Sequence, residues 1–256
     1  MRRDRKNKPR YRLVEGRNPV LEALRAGTKI FELLVEQGLR RDEKIDEIFR
    51  LSGQAQIRKK RFTRRRLEKI SRTGVHQGII AKAAFLEPPT IRQIINACFQ
   101  KGKSPFFVVL SEVEYAHNLG AVMRSAEVFG ANAVITGRRE MQVDAVVTRA
   151  SMGATEYIPL IHENIFNTLK LFKKEGIKTV AAEAKGKKSL FEASLSGPLA
   201  LVIGGEHKGI TETVFSRVDE IVYIPMFGQL SSLNLSVAAG ILMYETMRQR
   251  TKGSKR

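Results

Sequence analysis

A two-part α/β protein is predicted by three features of the chain. Short apolar runs of strand length recur, amphipathic stretches of helical period lie between them, and Pro88-Pro89 separates a basic first third from the remainder. The 256 residues suffice for one large core or two modest ones, and 43% hydrophobic with 28% charged residues is the composition of a folded water-exposed protein. Arg2, Arg3, Arg5, Lys6, Lys8 and Arg10 leave residues 1–10 without apolar anchors, so they are expected to form a basic flexible tail. Residues 11–86 alternate a helix at 18–26, a strand at 30–35, a helix at 42–51, a strand at 56–60 and a strand at 78–84, which predicts a small α/β domain. Between them falls a run containing Arg58, Lys59, Lys60, Arg61, Arg64, Arg65, Arg66, Lys69 and Arg72, opposed only by Glu68. Several of these cations must share a face, which makes the domain the expected contact for a polyanion.

Consecutive prolines forbid a continuing helix, so residues 87–104 are read as a linker with one helix at 91–101. The second domain is expected at 105–256. Its apolar runs at 106–110, 133–136, 179–182, 199–203 and 220–224 suit strands buried on both faces, and helices at 119–129 and 236–248 lie between and after them. That alternation predicts a doubly wound parallel sheet. Residues 252–256 read as a frayed basic end.

Charge and composition narrow the function. The net charge of +19 and pI near 10.3 imply a polyanionic partner, nucleic acid above all. Cys98 is the one cysteine, which fits a reducing compartment, and no apolar run approaches the roughly 20 residues of a membrane span; a cytoplasmic location follows as the expectation. No Gly-x-Gly-x-x-Gly follows a strand, and Gly186-Lys187-Lys188-Ser189 lacks the leading glycine of a phosphate loop. The histidines are dispersed, so no metal site is expected.

What remains is a set of small and polar loops at strand ends. Gly204-Gly205-Glu206-His207-Lys208-Gly209 and the run from Ile224 to Ala239 both follow apolar strands, where backbone can approach a ligand closely. Leu110 to Ala126, with Phe129 to Ile135, resembles motif 1 of the SpoU (TrmH) family of RNA ribose 2′-O-methyltransferases. Leu201 to Ile210 is similar to motif 2, and Ile224 to Glu245 to motif 3. Arg149-Ala150-Ser151-Met152-Gly153-Ala154 also matches. Val14 to Leu24 and Gly74 to Ile79 resemble the substrate-binding domain of the bacterial 23S rRNA guanosine-2′-O branch. The likeness covers nearly the whole chain, with a departure in motif 1: family members usually carry Asp-Pro where this chain has Tyr115-Ala116, and an aspartate where it has Ser111.

The resemblance implies a deep trefoil knot in the carboxyl-terminal segment, S-adenosylmethionine as cofactor, a homodimer, and methyl transfer to a ribose 2′-hydroxyl of RNA, with a guanosine of 23S rRNA ahead of a tRNA. A silent RNA-binding or assembly factor that kept the fold is the other class. Gly204, Ile224 and Leu233 are implied as cofactor-binding residues, although the glycines could serve only as a tight turn. Arg124 is implied to engage the 2′-hydroxyl, with Asn118, Glu206, Ser232 and Asn234 completing the catalytic set. For Asn118 and Asn234, capping the following helix is the alternative reading, and Glu206 fits either cofactor orientation or loop bracing.

Overall fold

A computed structural model describes residues 11–137, 141–205 and 209–253. The expected tail at 1–10, Glu206 and residues 254–256 lie outside the described residues. In chain order the first elements are β1 (Arg12–Glu15), α1 (Arg17–Arg25), β2 (Ile30–Glu36), α2 (Glu43–Gln54), β3 (Lys59–Phe62), α3 (Arg64–Ile70), β4 (Ile79–Ala83) and α4 (Ile91–Gln100). Then follow β5 (Phe106–Leu110), α5 (Ala116–Val128), β6 (Ala133–Thr136), α6 (Ala145–Ala150), β7 (Leu160–His162) and α7 (Ile165–Lys174). The last are β8 (Lys178–Ala182), β9 (Lys188–Ser189), β10 (Leu199–Ile203), α8 (Glu212–Phe215), β11 (Glu220–Tyr223) and α9 (Leu235–Gly253).

These elements form two units. One comprises the chain up to Glu87 together with residues 143–157; the other comprises 88–142 and 158–256. The segment 143–157, within the range expected for the second domain, thus belongs to the first unit.

In the first unit the sheet order is β1-β4-β2-β3, antiparallel except for the β2–β3 pair. Val14, Leu33, Val35, Ile79 and Ala81 meet Val20, Leu21, Ile45 and Ile48 of α1 and α2, which closes the core on one face. Leu34, Ile80 and Leu67 of α3 form a smaller cluster. Local signals fix the helices. Asp42 caps α2 by accepting the Ile45 amide at 2.9 Å, and Glu43 and Asp46 suit its positive end. Gly16, at φ 99°, turns the chain into α1, whose Pro19 is tolerated in the first turn. Residues 143–157 dock through buried groups: Arg12 reaches both carboxylate oxygens of Glu156 at 2.8 and 2.7 Å, and Thr28 adds a hydroxyl at 2.7 Å.

In the second unit all seven strands run parallel in the order β7-β6-β5-β10-β8-β11-β9. The α/β reading and the parallel sheet are therefore seen directly. β5 is buried along its whole length. Phe107 and Val109 face the core formed with Ile91, Ile95 and Cys98 of α4 and Leu169 and Phe172 of α7, where Phe107 stacks on Phe172 at 4.9 Å. Phe106 lies under the Arg250 guanidinium of α9 on the other side. The break at Pro88-Pro89 ends in a full capping box, Thr90 with Gln93, that starts α4. α9 continues to Gly253, two residues into the segment expected to fray.

Candidate active site

Because β5, β8, β10 and β11 are parallel neighbours, their carboxyl ends emerge at one edge. The loops that follow are interlocked there. Ser111 donates its amide to Ile203 O at 3.0 Å and its hydroxyl to Gly209 O at 3.4 Å, so the β5 loop is sewn to the β10 loop. Gly205 and Gly209 exchange backbone hydrogen bonds of 3.1 and 3.2 Å, which brings the two glycines together. Glycine is required by proximity: a Cβ on Gly204 would lie 2.6 Å from the Gly209 carbonyl carbon, and one on Gly205 would lie 2.7 Å from Glu112 Cβ. From β8, Glu183 accepts the Ile210 amide at 3.3 Å. Gly186 presses on β11, where a Cβ would sit 2.6 Å from the Val222 carbonyl carbon. That close approach is the physical role of the glycine in the run that superficially matched a phosphate loop.

The flanking helices bring in the polar residues. α5 starts at Ala116, three residues earlier than the sequence predicts, so Asn118 sits inside its first turn and the capping position falls to Tyr115, which makes no side-chain cap bond. Asn118 is thus not the N-cap. Its Oδ1 accepts Asn234 Nδ2 at 3.2 Å, tying the start of α5 to the start of α9. Asn234 does cap: its Oδ1 accepts the Ser236 amide at 2.8 Å and the Ser236 hydroxyl at 2.6 Å. One side chain therefore caps α9 and also bonds α5. Phe129 and Tyr244 meet edge to face at 6.0 Å further along the same helix pair.

Of the remaining residues, Gly204 directly follows β10 and Ile224 directly follows β11. Leu233 and Ser232 are exposed in the loop before α9. Arg124 lies two turns into α5, about 9 Å along the axis from Asn118 at the helical rise, with its side chain in solvent. Glu112 and Glu183 were not singled out by sequence, since a carboxylate after a strand carries no pattern; here they fill the spaces the glycines leave. Among the described residues no group of three or more His, Cys, Asp or Glu could hold a metal ion, and no described helix is long and apolar enough to cross a membrane.

Parallel strands ending in interlocked glycine loops, with two asparagine-linked helices alongside, make an open-edged α/β unit, and the family matches assign its class. Residues 105–244 match the SpoU rRNA Methylase family and residues 13–89 match the RNA 2′-O ribose methyltransferase substrate-binding domain, so the chain belongs to the SpoU family of RNA ribose 2′-O-methyltransferases. It is 36% identical over 239 residues to YacO of Bacillus subtilis strain 168, named as a TrmH family tRNA/rRNA methyltransferase, covering 93% of this chain and 95% of that one. Its fold superposes on the crystal structure of an RNA 2′-O ribose methyltransferase with a TM-score of 0.78 and 28% identity, over 94% of this chain and 90% of that chain. An rRNA methyltransferase of Sinorhizobium meliloti, crystallised with AdoMet bound, shares the fold at a TM-score of 0.77 and 23% identity, over 93% of this chain and 87% of that chain.

Proposed function

We propose that this enzyme moves a methyl group from S-adenosylmethionine to the 2′-hydroxyl of a guanosine in 23S rRNA. The observation that carries the reading is the interlocked edge, where Gly204 and Gly205 leave no room for a side chain and backbone is the surface on offer. Such a cradle fits the donor, and Gly204, Ile224 and Leu233 would hold it through main chain. S-adenosylmethionine would supply a sulfonium methyl group, activated for in-line attack by an oxygen nucleophile with the thioether as leaving group. The Asn118–Asn234 bond fixes α5 against α9 and so sets where Arg124 stands. Arg124 would donate to the acceptor phosphate and position the 2′-hydroxyl, whose proton passes to solvent as the O–CH3 bond forms and the S–CH3 bond breaks to leave S-adenosylhomocysteine; a guanidinium keeps its charge in that role. Ser232 and Glu206 are assigned to shaping the same face.

RNA would be gripped by the first unit, where α3 buries Leu67 and exposes Arg64, Arg65, Arg66 and Lys69. A second copy of the chain would cover α9, on which Val237, Ile241 and Tyr244 recur at helical spacing with 50%, 36% and 53% exposure. The placement of β10 between β5 and β8, with α9 returning to α5, supports a threaded carboxyl-terminal segment. The single, buried cysteine supports a cytoplasmic setting.

Arg124→Ala tests the assignment. Turnover at saturating RNA should fall by about 10²- to 10⁴-fold while calorimetric affinity for S-adenosylmethionine stays; unchanged turnover removes Arg124 from the reaction. Mapping 2′-O-methyl sites in RNA from a strain lacking the protein identifies the nucleotide, and loss of a tRNA mark instead of a 23S mark would move the substrate.

A further inference from the structure

Three motifs in the sequence are not among the strand-edge loops described above: residues 14–24, 74–79 and 149–154. All three meet in the first unit. The Arg17 amide donates to Gln77 Oε1 at 2.9 Å, Arg17 Nε reaches Gln77 O at 3.4 Å, and Asn18 Nδ2 approaches Met152 Sδ at 3.7 Å. Gln77 at φ 51° and Met152 at φ 56° hold left-handed backbone, which costs a side-chain-bearing residue on the order of 1 kcal/mol and clusters where geometry serves a ligand. Arg17, Asn18, Asp42, Glu43, Lys44 and Gln77 line a cleft of about 760 Å³, within the range of small-ligand sites.

The chemistry of the lining selects the occupant. Two basic and two acidic side chains cancel formally, so the cleft is no phosphate trap, in contrast to α3. Both Asp42 oxygens are engaged, by the Ile45 amide and by Arg17, and Lys44 donates to Asn18 Oδ1 at 2.6 Å. Glu43 stays exposed as an acceptor. With Oε1 given to the Arg17 amide, Gln77 has Nε2 to donate. Guanine is the one RNA base whose pairing edge sets two adjacent N–H donors beside a carbonyl oxygen; a carboxylate facing any other base meets an acceptor. We infer that this cleft reads one unpaired guanine of the RNA, Glu43 accepting from N1–H and N2–H and Gln77 donating to O6. The Met152 thioether backs Asn18 of this lining. Splayed, unpaired bases are the usual targets of sequence-specific RNA recognition.

The inference rests on RNA being the substrate, and the test separates the two. Fluorescein-labelled uridine heptamers carrying a central G, A, C or U are titrated into the full-length protein and followed by anisotropy. The G heptamer should bind roughly tenfold tighter than the others, as one bidentate contact allows. Glu43→Gln and Gln77→Glu, the second keeping an oxygen for the Arg17 amide, should each bring all four heptamers to a common Kd without changing the unfolding midpoint. Arg65→Ala with Lys69→Ala should weaken all four equally. Equal binding by the unsubstituted protein, or a preference that survives both substitutions, overturns the inference. Tritium transfer from S-adenosylmethionine to RNA of a deletion strain is measured in parallel. Methylation without base preference sinks the guanine site alone; preference without methylation upholds the site and sinks the enzyme reading.

Discussion

At the scale of single residues, backbone proximity decides more than side-chain chemistry. Gly204→Ala places a methyl 2.6 Å from main chain that cannot yield, so S-adenosylmethionine binding should weaken by at least tenfold in calorimetry. Tyr115-Ala116 is a departure in capping rather than in chemistry, because these positions are the N-cap and first residue of α5. Tyr115→Asp with Ala116→Pro should raise stability by about 1 kcal/mol in denaturant and leave turnover as it was. Glu15, fully buried, illustrates the opposite economy: burial would push its carboxyl up, but the Arg72 amide, the Ser71 hydroxyl and both Thr73 donors outweigh this and hold it below the usual value. A depressed folded value gives stability that is full above the ordinary carboxyl value near about 4.3 and lost as pH falls through the lower one. Glu15→Gln should therefore cost about 1–3 kcal/mol at neutral pH, with the deficit shrinking in acid, as urea titrations at several pH values would show.

Elements differ in how plainly the chain announces them. β5, β6 and β10 were legible because strands buried at every position are apolar nearly throughout, Phe106 to Leu110 being the extreme case, while β8 and β11 showed through shorter apolar cores. α3 was not: seven residues with Leu67 as the buried side chain display no apolar period, so they read as a charge run. β1 and β7, at 4 and 3 residues, are too short for alternation to register. The site followed the same logic. Small residues after apolar strands marked Gly204 and Gly205, whereas the double duty of Asn234 depends on a partner 116 positions away. The end of α9 is fixed by a device equally hidden in sequence: Arg250 donates to the carbonyls of Ser104, Pro105 and Gly197, and burial pulls its guanidinium below its ordinary value. Arg250→Met strands those carbonyls and should cost about 2–3 kcal/mol by thermal or urea unfolding.

For the whole molecule, the surplus of cations predicts a steep salt dependence. Each phosphate neutralised on a single strand contributes a slope of about −0.7 to log K against log salt, so Arg64→Ala with Arg65→Ala should flatten the slope measured with structured RNA by about 1 to 1.5. The proposed pairing through α9 predicts a dimer in sedimentation velocity that Ile241→Glu, placing charge in the exposed stripe, converts to monomer; a monomeric unsubstituted protein overturns it.

Emergence from the ribosome gains a forced order from the return of residues 143–157 to the first unit. Glu156 pairs with the guanidinium at position 12, so Arg12 waits for its partner while residues 88–142 are polymerised, a delay of several seconds at roughly 5–20 residues per second. Nascent chains arrested before that carboxylate appears hold the arginine without its counter-charge, and a truncation at residue 87 inherits the same defect permanently.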